Sequence, residues 1–271
     1  MELVPQLNFR KRINLLLWSR RLLWLPVIAA VFGSRSGWVL PVAVILAIVL
    51  TGALGAWETS LRRQFIREAE FPRFLAPKLR ESYPQLSLRD AELVLRGLRQ
   101  FFMAHLRSGR KFVAMPSRLV DAAWHEYILH TQGYQGWCQG AFGKLLHHTP
   151  AEVLGRDARR NDGLRRSWYW ACKEESIDPR KPTRLPLLFA LDAKFDVPGG
   201  YKYTPDCGGV DKRDGSGTQC GSDFGDSGGG SGDAGGFGGS ESSGGGDGSS
   251  SDSGGDGGSG CGGGCGGGGG D

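Results

Sequence analysis

The feature that most constrains this chain is an uncharged apolar run of twenty residues from Trp38 to Trp57, WVLPVAVILAIVLTGALGAW. A helix rises about 1.5 Å per residue, so this run is long enough for the roughly 30 Å hydrocarbon core of a bilayer. Indole rings favour the headgroup region, and a tryptophan stands at each end of the run. The sequence therefore predicts a transmembrane helix over 38–57.

A second apolar stretch, Leu22 to Gly33, precedes this run and is only twelve residues long. At about 18 Å it is short for a membrane span. Arg20 and Arg21 can snorkel to one interface, and the small turn at 34–37 can lie close to the opposite headgroups. We therefore predict a transmembrane hairpin over 22–57, with 22–33 as a short first span and 38–57 as the second. The alternatives are an interfacial or re-entrant first segment, or a signal peptide.

Positive charge orients this hairpin. The basic N-terminal segment 1–21 carries five Lys and Arg residues, and three arginines follow at 62–67, whereas the connecting turn holds only Arg35. Lys and Arg concentrate on the cytoplasmic side of a membrane. We expect a multi-pass protein of the cell (inner) membrane with both termini in the cytoplasm. In that reducing compartment its six cysteines are expected to be free thiols.

The net charge of +5 conceals two opposed parts of the chain. Residues 206–271 contain eleven acidic and two basic side chains, a balance of −9, which leaves +14 for residues 1–205. A basic body beside a membrane span favours a bilayer with anionic headgroups as its partner. Nucleic acid is the weaker candidate, because the arginines from Arg156 to Arg166 have the spacing of a solvated helix face.

A helical pattern follows the apolar region. Ser87 and Asp90 have the spacing of a capping box, apolar residues then recur at helical intervals up to Gly109, and Ser117 can begin a further helix. The predicted fold class is all-α, with a helical domain over 58–205. The remaining residues, 206–271, are mainly Gly, Ser and Asp and cannot bury enough apolar area to offset backbone entropy, so a disordered tail is expected.

The chemical signal lies in a histidine-rich segment, since all five histidines fall between His105 and His148. Imidazole and thiolate are ligands of zinc and iron, which are the cofactors this segment suggests. The candidate metal ligands are His125, Cys138, His147 and His148, and the candidate supporting residues are Asp121, Trp124 and Tyr134. On a helix Asp121 shares a face with His125, so its carboxylate could hold one ring nitrogen and leave the other free.

Other interpretations of this segment can be weighed by spacing. A zinc-protease helix needs a second histidine four residues after His125, where this chain has Leu129, so that reading fails. A structural interpretation places Trp124, Tyr134, Trp137 and Phe142 in a core between two helices and gives the histidines internal hydrogen bonds. A catalytic pair of Cys138 with a histidine would require a lowered thiol pKa and an oxyanion donor.

The same segment resembles the glycine-rich domain-containing protein family of plants and bacteria. The matching positions span about thirty residues and are Asp121, Trp124, His125, Ile128, Leu129, Thr131, Tyr134, Cys138, Phe142, Gly143, His147, His148 and Pro150. Many members of that family have a second histidine two residues after the first, where this chain has Tyr127. The resemblance implies a helical domain without an established reaction.

These features together predict a membrane-anchored interaction or scaffold module with an unknown protein partner, rather than an enzyme. The alternative function is a membrane-tethered domain that binds Zn or Fe at the histidine-rich segment.

Overall fold

The computed structural model describes residues 3–33, 38–148, 158–205, 219–221 and 224. The helices are α1 (Leu3–Leu22), α2 (Leu25–Gly33), α3 (Val39–Glu68), α4 (Leu75–Ser82), α5 (Leu88–Arg107), α6 (Arg118–Leu129), α7 (Thr131–Ala141), α8 (Ala158–Glu174) and α9 (Leu187–Lys194). Two short strands, β1 (Tyr203–Thr204) and β2 (Gln219–Cys220), pair in parallel. The prediction of a mostly helical chain is confirmed, and this strand pair is its exception.

Helix α3 runs without a break from the apolar run into the helical domain. Within the described part of the chain, it is the one helix long and apolar enough to cross a membrane. Its first half exposes large apolar side chains, among them Ile45 at 62% and Val49 at 60%. Near its other end, Phe65 and Ile66 are completely buried in the domain core. One helix therefore belongs to both parts of the protein.

The two-pass hairpin predicted over 22–57 is not supported by the helix lengths. The apolar stretch that was expected to form the first span is broken by a turn at 23–24 and continues as the nine-residue α2. Pro26 has no backbone N–H to donate, which prevents α1 from extending into α2. At about 14 Å, α2 alone is too short to cross a bilayer. Both α1 and α2 instead lie against α3, where Ile13 of α1 packs on Leu61.

The core of the helical domain is built from aromatic rings around α5, which contacts α3, α4, α6, α8 and α9. The Phe102 ring on α5 lies 4.6 Å from the Trp137 ring and 6.0 Å from the Trp124 ring, centroid to centroid. The predicted capping box begins α5: the Ser87 hydroxyl accepts from the Asp90 N–H at 3.2 Å, and the Asp90 carboxylate accepts from the Ser87 N–H at 2.9 Å. Local sequence thus starts this helix, and aromatic burial holds it.

Residues beyond the predicted domain boundary at 205 contact the helical domain. Strand β2 pairs with β1, and the Phe224 ring lies 5.6 Å from the Trp168 ring of α8. The partly buried Phe224 ring supplies apolar contact that a Gly/Ser segment lacks, and this contact offsets part of the entropy lost when the chain is ordered. The remainder of the predicted tail and the turn at 34–37 lie outside the described residues.

The described cysteines differ in oxidation state. Cys138 and Cys172 are free and buried, as expected of reduced thiols, and burial raises the pKa of the Cys172 thiol to about 12. Cys220 is disulfide-bonded, so the expectation of a free thiol is wrong at this position.

Candidate metal centre

The N-terminus of α6, the helix that carries the candidate ligand His125 and the supporting residue Asp121, is held by a carboxylate from α9. The Asp192 carboxylate accepts hydrogen bonds from the Ser117 hydroxyl at 2.6 Å, from the Arg118 N–H at 2.8 Å and from the Leu119 N–H at 3.1 Å. The first N–H groups of a helix have no partner within the helix, and the helix dipole favours negative charge there. Asp192 is almost fully buried, so α6 begins from a fixed position.

Three side chains converge beside the first turns of α6. His148 Nε2 donates to Asp121 Oδ1 at 2.8 Å, and the His125 and His148 ring centroids are 4.2 Å apart. With one ligand atom taken from each of these three residues, all the ligand atoms lie within 4.8 Å of one another. Zinc bonds of about 2.0–2.2 Å in tetrahedral geometry would place such atoms about 3.4 Å apart. Side-chain rotations that move the ligand atoms by about an ångström would therefore bring them to the distances of a tetrahedral zinc site.

Helix geometry orients the His125 ring. Its Nδ1 lies 2.8 Å from the backbone carbonyl oxygen of Asp121 and 3.5 Å from carboxylate oxygen Oδ2 of the same residue. Because a carbonyl oxygen only accepts, Nδ1 carries the proton in this contact and Nε2 is the unprotonated nitrogen of the ring. The sequence predicted that the carboxylate would hold this ring. In the structure the backbone carbonyl does so, which leaves the carboxylate to His148.

The three side chains differ in their access to solvent. The His125 side chain is 51% exposed and that of Asp121 is 32% exposed, whereas that of His148 is 11% exposed. One side of the cluster therefore faces water. An ion bound there by three protein ligands would keep an open coordination position.

Trp124 and Tyr134, the predicted supporting residues, position the loop that carries His148. The Trp124 indole N–H donates to the Tyr134 hydroxyl at 3.0 Å, and that hydroxyl donates to the Leu146 carbonyl at 2.6 Å. The edge of the Trp124 ring also packs on the His148 ring, with the centroids 4.6 Å apart. These contacts fasten residues 143–148 to α6 and α7, and His148 is brought to Asp121 as a result.

Two of the four predicted ligands, Cys138 and His147, lie outside this cluster. Cys138 is completely buried, and burial raises the pKa of its thiol, although hydrogen bonds from the Leu146 backbone N–H and from the Tyr134 hydroxyl act in the other direction. A protonated buried thiol is a poor ligand and a poor nucleophile, so the geometry also disfavours the catalytic Cys/His pair. His147 is exposed, and His148 takes the inward place beside it.

The other two histidines are placed by structural contacts. His105 on α5 is almost fully buried, its Nδ1 donates to the Lys111 carbonyl at 3.0 Å, and burial lowers the pKa of its ring to about 4. His130 lies between α6 and α7, with its ring 5.2 Å from the Phe74 ring. The aromatic residues of the structural interpretation, Trp124, Tyr134, Trp137 and Phe142, are all buried as that interpretation predicted.

Asp121, to which the sequence assigned a supporting part, lies within the cluster itself. Its spacing of four residues before His125 was the available signal, because such pairs share a helix face. The sequence has no comparable signal that His148, rather than His147, lies beside Asp121. It depends on the Tyr134 hydrogen bond to the Leu146 carbonyl, which forms only in the folded chain.

A family model described as UCP032817-like matches residues 61–224, more than half of the chain. The match spans the helical domain from the end of α3 to Phe224 and includes the whole histidine cluster. No curated protein and no solved structure matches the chain. The resemblance to the glycine-rich domain-containing protein family was wrong: it rested on about thirty residues, many of them core positions such as Trp124 and Tyr134, whereas the family match extends over the domain. The chain belongs to the UCP032817-like family.

Proposed function

We propose that this protein is a membrane-anchored helical domain that binds a divalent transition metal, zinc or iron, through Asp121, His125 and His148. The observation that carries the proposal is the placement of the three ligand atoms within 4.8 Å of one another. Neutral imidazole and carboxylate suit both metals. A bound ion would replace the proton that His148 donates to Asp121, and the fourth position would be open to water or to a side chain of a partner.

Zinc binding by the full chain in detergent micelles tests this proposal. Equilibrium dialysis followed by metal analysis should give about one zinc ion per chain. His125→Asn should abolish binding and leave the melting temperature of the metal-free protein unchanged, because the His125 ring is half exposed. His147→Asn is the matched control, since this adjacent histidine lies outside the cluster, and it should bind zinc as the unchanged protein does. Absence of binding, or equal binding by the His125 variant, would overturn the proposal.

An interaction or scaffold module without a metal is the second candidate function. It is favoured by the Asp121–His148 hydrogen bond, which is complete without an ion. Under this alternative zinc does not raise the melting temperature, and His148→Asn destabilises the domain by about 1 kcal/mol, because a carboxylate that is 32% exposed loses one hydrogen bond. Crosslinking from Leu129, an exposed apolar residue at the end of α6, would then identify the unknown protein partner.

We further propose that α3 crosses the cell membrane and that the helical domain lies on the cytoplasmic side. The support is the apolar, exposed first half of α3 and the arginines that follow it. In the finer, multi-pass form of this proposal, α2 enters the bilayer beside α3 and both termini are cytoplasmic. The disulfide at Cys220 argues for the opposite side, because disulfides persist mainly in oxidising compartments. Orientation therefore needs a direct experiment.

Cysteine labelling of intact cells with a membrane-impermeant maleimide tests the orientation. The two variants are Ser36→Cys, which precedes the apolar run in the sequence, and Ser60→Cys, which follows it three residues after Trp57. We expect labelling above the background of the unchanged protein at position 36 and none at position 60. The reverse result would place the domain outside the cytoplasm. Release of the protein from membranes by carbonate would remove the anchoring proposal itself.

A further inference from the structure

Helix α3 carries a row of hydrogen-bond donors immediately after the apolar run. Ser60, Arg63, Gln64 and Arg67 recur at intervals of three and four residues, so they share one face of the helix. Together with Glu68 and with Arg107 from the end of α5, they line a groove of about 330 Å³. This groove is separate from the histidine cluster, and nothing in the metal proposal uses it.

The groove starts at the depth where a bilayer has its phosphates. Trp57 is exposed and ends the apolar run, and the helical rise places Ser60 about 4.5 Å and Arg63 about 9 Å further along the axis. The headgroup layer adds roughly 5–8 Å to each side of the hydrocarbon core. With the Trp57 ring at the boundary of that core, Ser60 lies within the headgroup layer and Arg63 at its outer edge. Arg67 lies about 15 Å along the axis, and its Cα–Cβ bond tilts towards the helix N-terminus and hence towards the membrane.

Two of the guanidinium groups in the groove, those of Arg67 and Arg107, are held by contacts within the protein. Glu174 of α8 accepts from Arg67 at 2.9 Å and from Arg107 at 3.3 Å, and the Arg107 guanidinium lies 4.5 Å from the centre of the Trp170 ring. The Glu68 carboxylate accepts from the Gln64 amide at 2.8 Å, so both carboxylates at the groove are engaged. Side chains held in place before binding lose less entropy when a ligand arrives.

Towards the N-terminus of α3, the same face of the helix is apolar. Leu46 and Leu50 lie on this face at helical spacing, N-terminal to Trp57 and Ser60, and both are exposed. A molecule with a phosphate and long acyl chains would match both surfaces at once, whereas a soluble phosphate would contact only the groove.

We propose that this groove binds the headgroup phosphate of an anionic phospholipid, with Arg63 and Arg67 as the principal donors and the acyl chains along Leu46 and Leu50. Guanidinium matches phosphate through paired hydrogen bonds, and a cytoplasmic leaflet rich in anionic lipid supplies the ligand. The inference rests on α3 crossing the bilayer and is independent of metal binding.

Spin-labelled lipids in nanodiscs that contain the full chain test the inference. Electron paramagnetic resonance separates lipid immobilised on the protein from mobile lipid, so spin-labelled phosphatidylglycerol can be compared with spin-labelled phosphatidylcholine. We expect selectivity for phosphatidylglycerol that falls roughly fivefold for each arginine removed, and hence is lost in the double variant Arg63→Gln, Arg67→Gln. The matched control is Arg89→Gln, Arg96→Gln, which removes the same charge from exposed positions on α5 and should keep the selectivity.

Further measurements separate the possible outcomes. The double variant Arg63→Lys, Arg67→Lys keeps the charge but loses the paired geometry, and it should retain only part of the selectivity. Equal selectivity in the glutamine variant and the unchanged protein would overturn the inference. Displacement of phosphatidylglycerol by inorganic phosphate would overturn it in favour of a soluble anion. Extraction by carbonate reports separately on anchoring by α3, and a melting temperature equal to that of the unchanged protein shows that the glutamine variant is folded.

Discussion

The Nη1 of Arg62 lies 2.9 Å from the carbonyl oxygen of Gly140, so a guanidinium from α3 covers the C-terminal end of α7. It also donates to the Gln139 carbonyl at 3.1 Å, and Nε of the same side chain donates to Glu58 at 2.7 Å. The last carbonyls of a helix have no partner within the helix and favour a cation. This joint fixes the helix that bears the apolar run to the domain that bears the histidine cluster.

Arg62→Ala should destabilise the protein by about 2–3 kcal/mol, because the buried Glu58 carboxylate keeps only the longer contact with Arg110 at 3.6 Å and two carbonyls are uncovered. The control is Arg67→Ala, which removes an exposed ion pair with Glu174 and should cost at most about 1 kcal/mol. Urea unfolding of the full chain in detergent, followed by tryptophan fluorescence, measures both. Equal effects of the two substitutions would show that the Arg62 contacts stabilise the protein no more than an exposed ion pair does.

Gly140→Ala should destabilise the domain although alanine is the better helix former. A Cβ at Gly140 would meet three atoms of the buried Phe65 ring at 2.7–3.1 Å, and overpacking of this kind costs about 1–3 kcal/mol. Gly52→Ala is the matched control on α3, where nothing lies within 4 Å of the added atom and thermal unfolding should be nearly unchanged. A melting temperature for Gly140→Ala at or above that of the unchanged protein would contradict this packing.

Asp192→Asn should weaken the start of α6 and, through it, the proposed metal site. Asp192 accepts hydrogen bonds from Ser117 and from backbone N–H groups, including that of Tyr201 at 2.9 Å. An amide turns one acceptor into a donor that faces other donors, which we expect to cost about 2–5 kcal/mol. Asp90→Asn is the control, because it changes an exposed helix cap and should have a smaller effect on unfolding. Zinc affinity should fall for Asp192→Asn alone.

Burial of His105 should make the stability depend on pH. Burial lowers the pKa of the folded ring from 6.5 to about 4, so below pH 6.5 the unfolded chain takes up a proton that the folded chain does not. The stabilisation is therefore complete above pH 6.5 and is lost as the pH falls towards 4, by on the order of 3 kcal/mol. Urea unfolding at a series of pH values measures it.

The contribution of His105 to the pH dependence of stability is measured by comparing the unchanged protein with a variant that lacks this histidine. In His105→Asn the amide can still donate to the Lys111 carbonyl but does not titrate, so its stability should fall less over the same pH range. Parallel pH dependences of the variant and the unchanged protein would assign the effect to other groups.

The elements that were predicted correctly are those that depend on short-range pattern. The capping box of Ser87 and Asp90 and the cap at Ser117 are local hydrogen bonds between residues three apart, and each begins a helix as expected. The apolar helix that begins at Val39 was expected from apolar composition. The first arm of the hairpin failed because a count of apolar residues does not register the break before Pro26.

By itself, the sequence determined the helical class, the apolar helix and the segment in which a metal site could lie, because periodicity, capping and composition act over a few residues. Only the tertiary structure decided that His148 faces Asp121 while His147 faces solvent. That choice depends on the Tyr134 hydroxyl bonding to Leu146 and on Trp124 packing against the His148 ring, contacts between residues 12–24 positions apart. The sequence contains these residues, but their convergence follows from how α6 and α7 pack around the core.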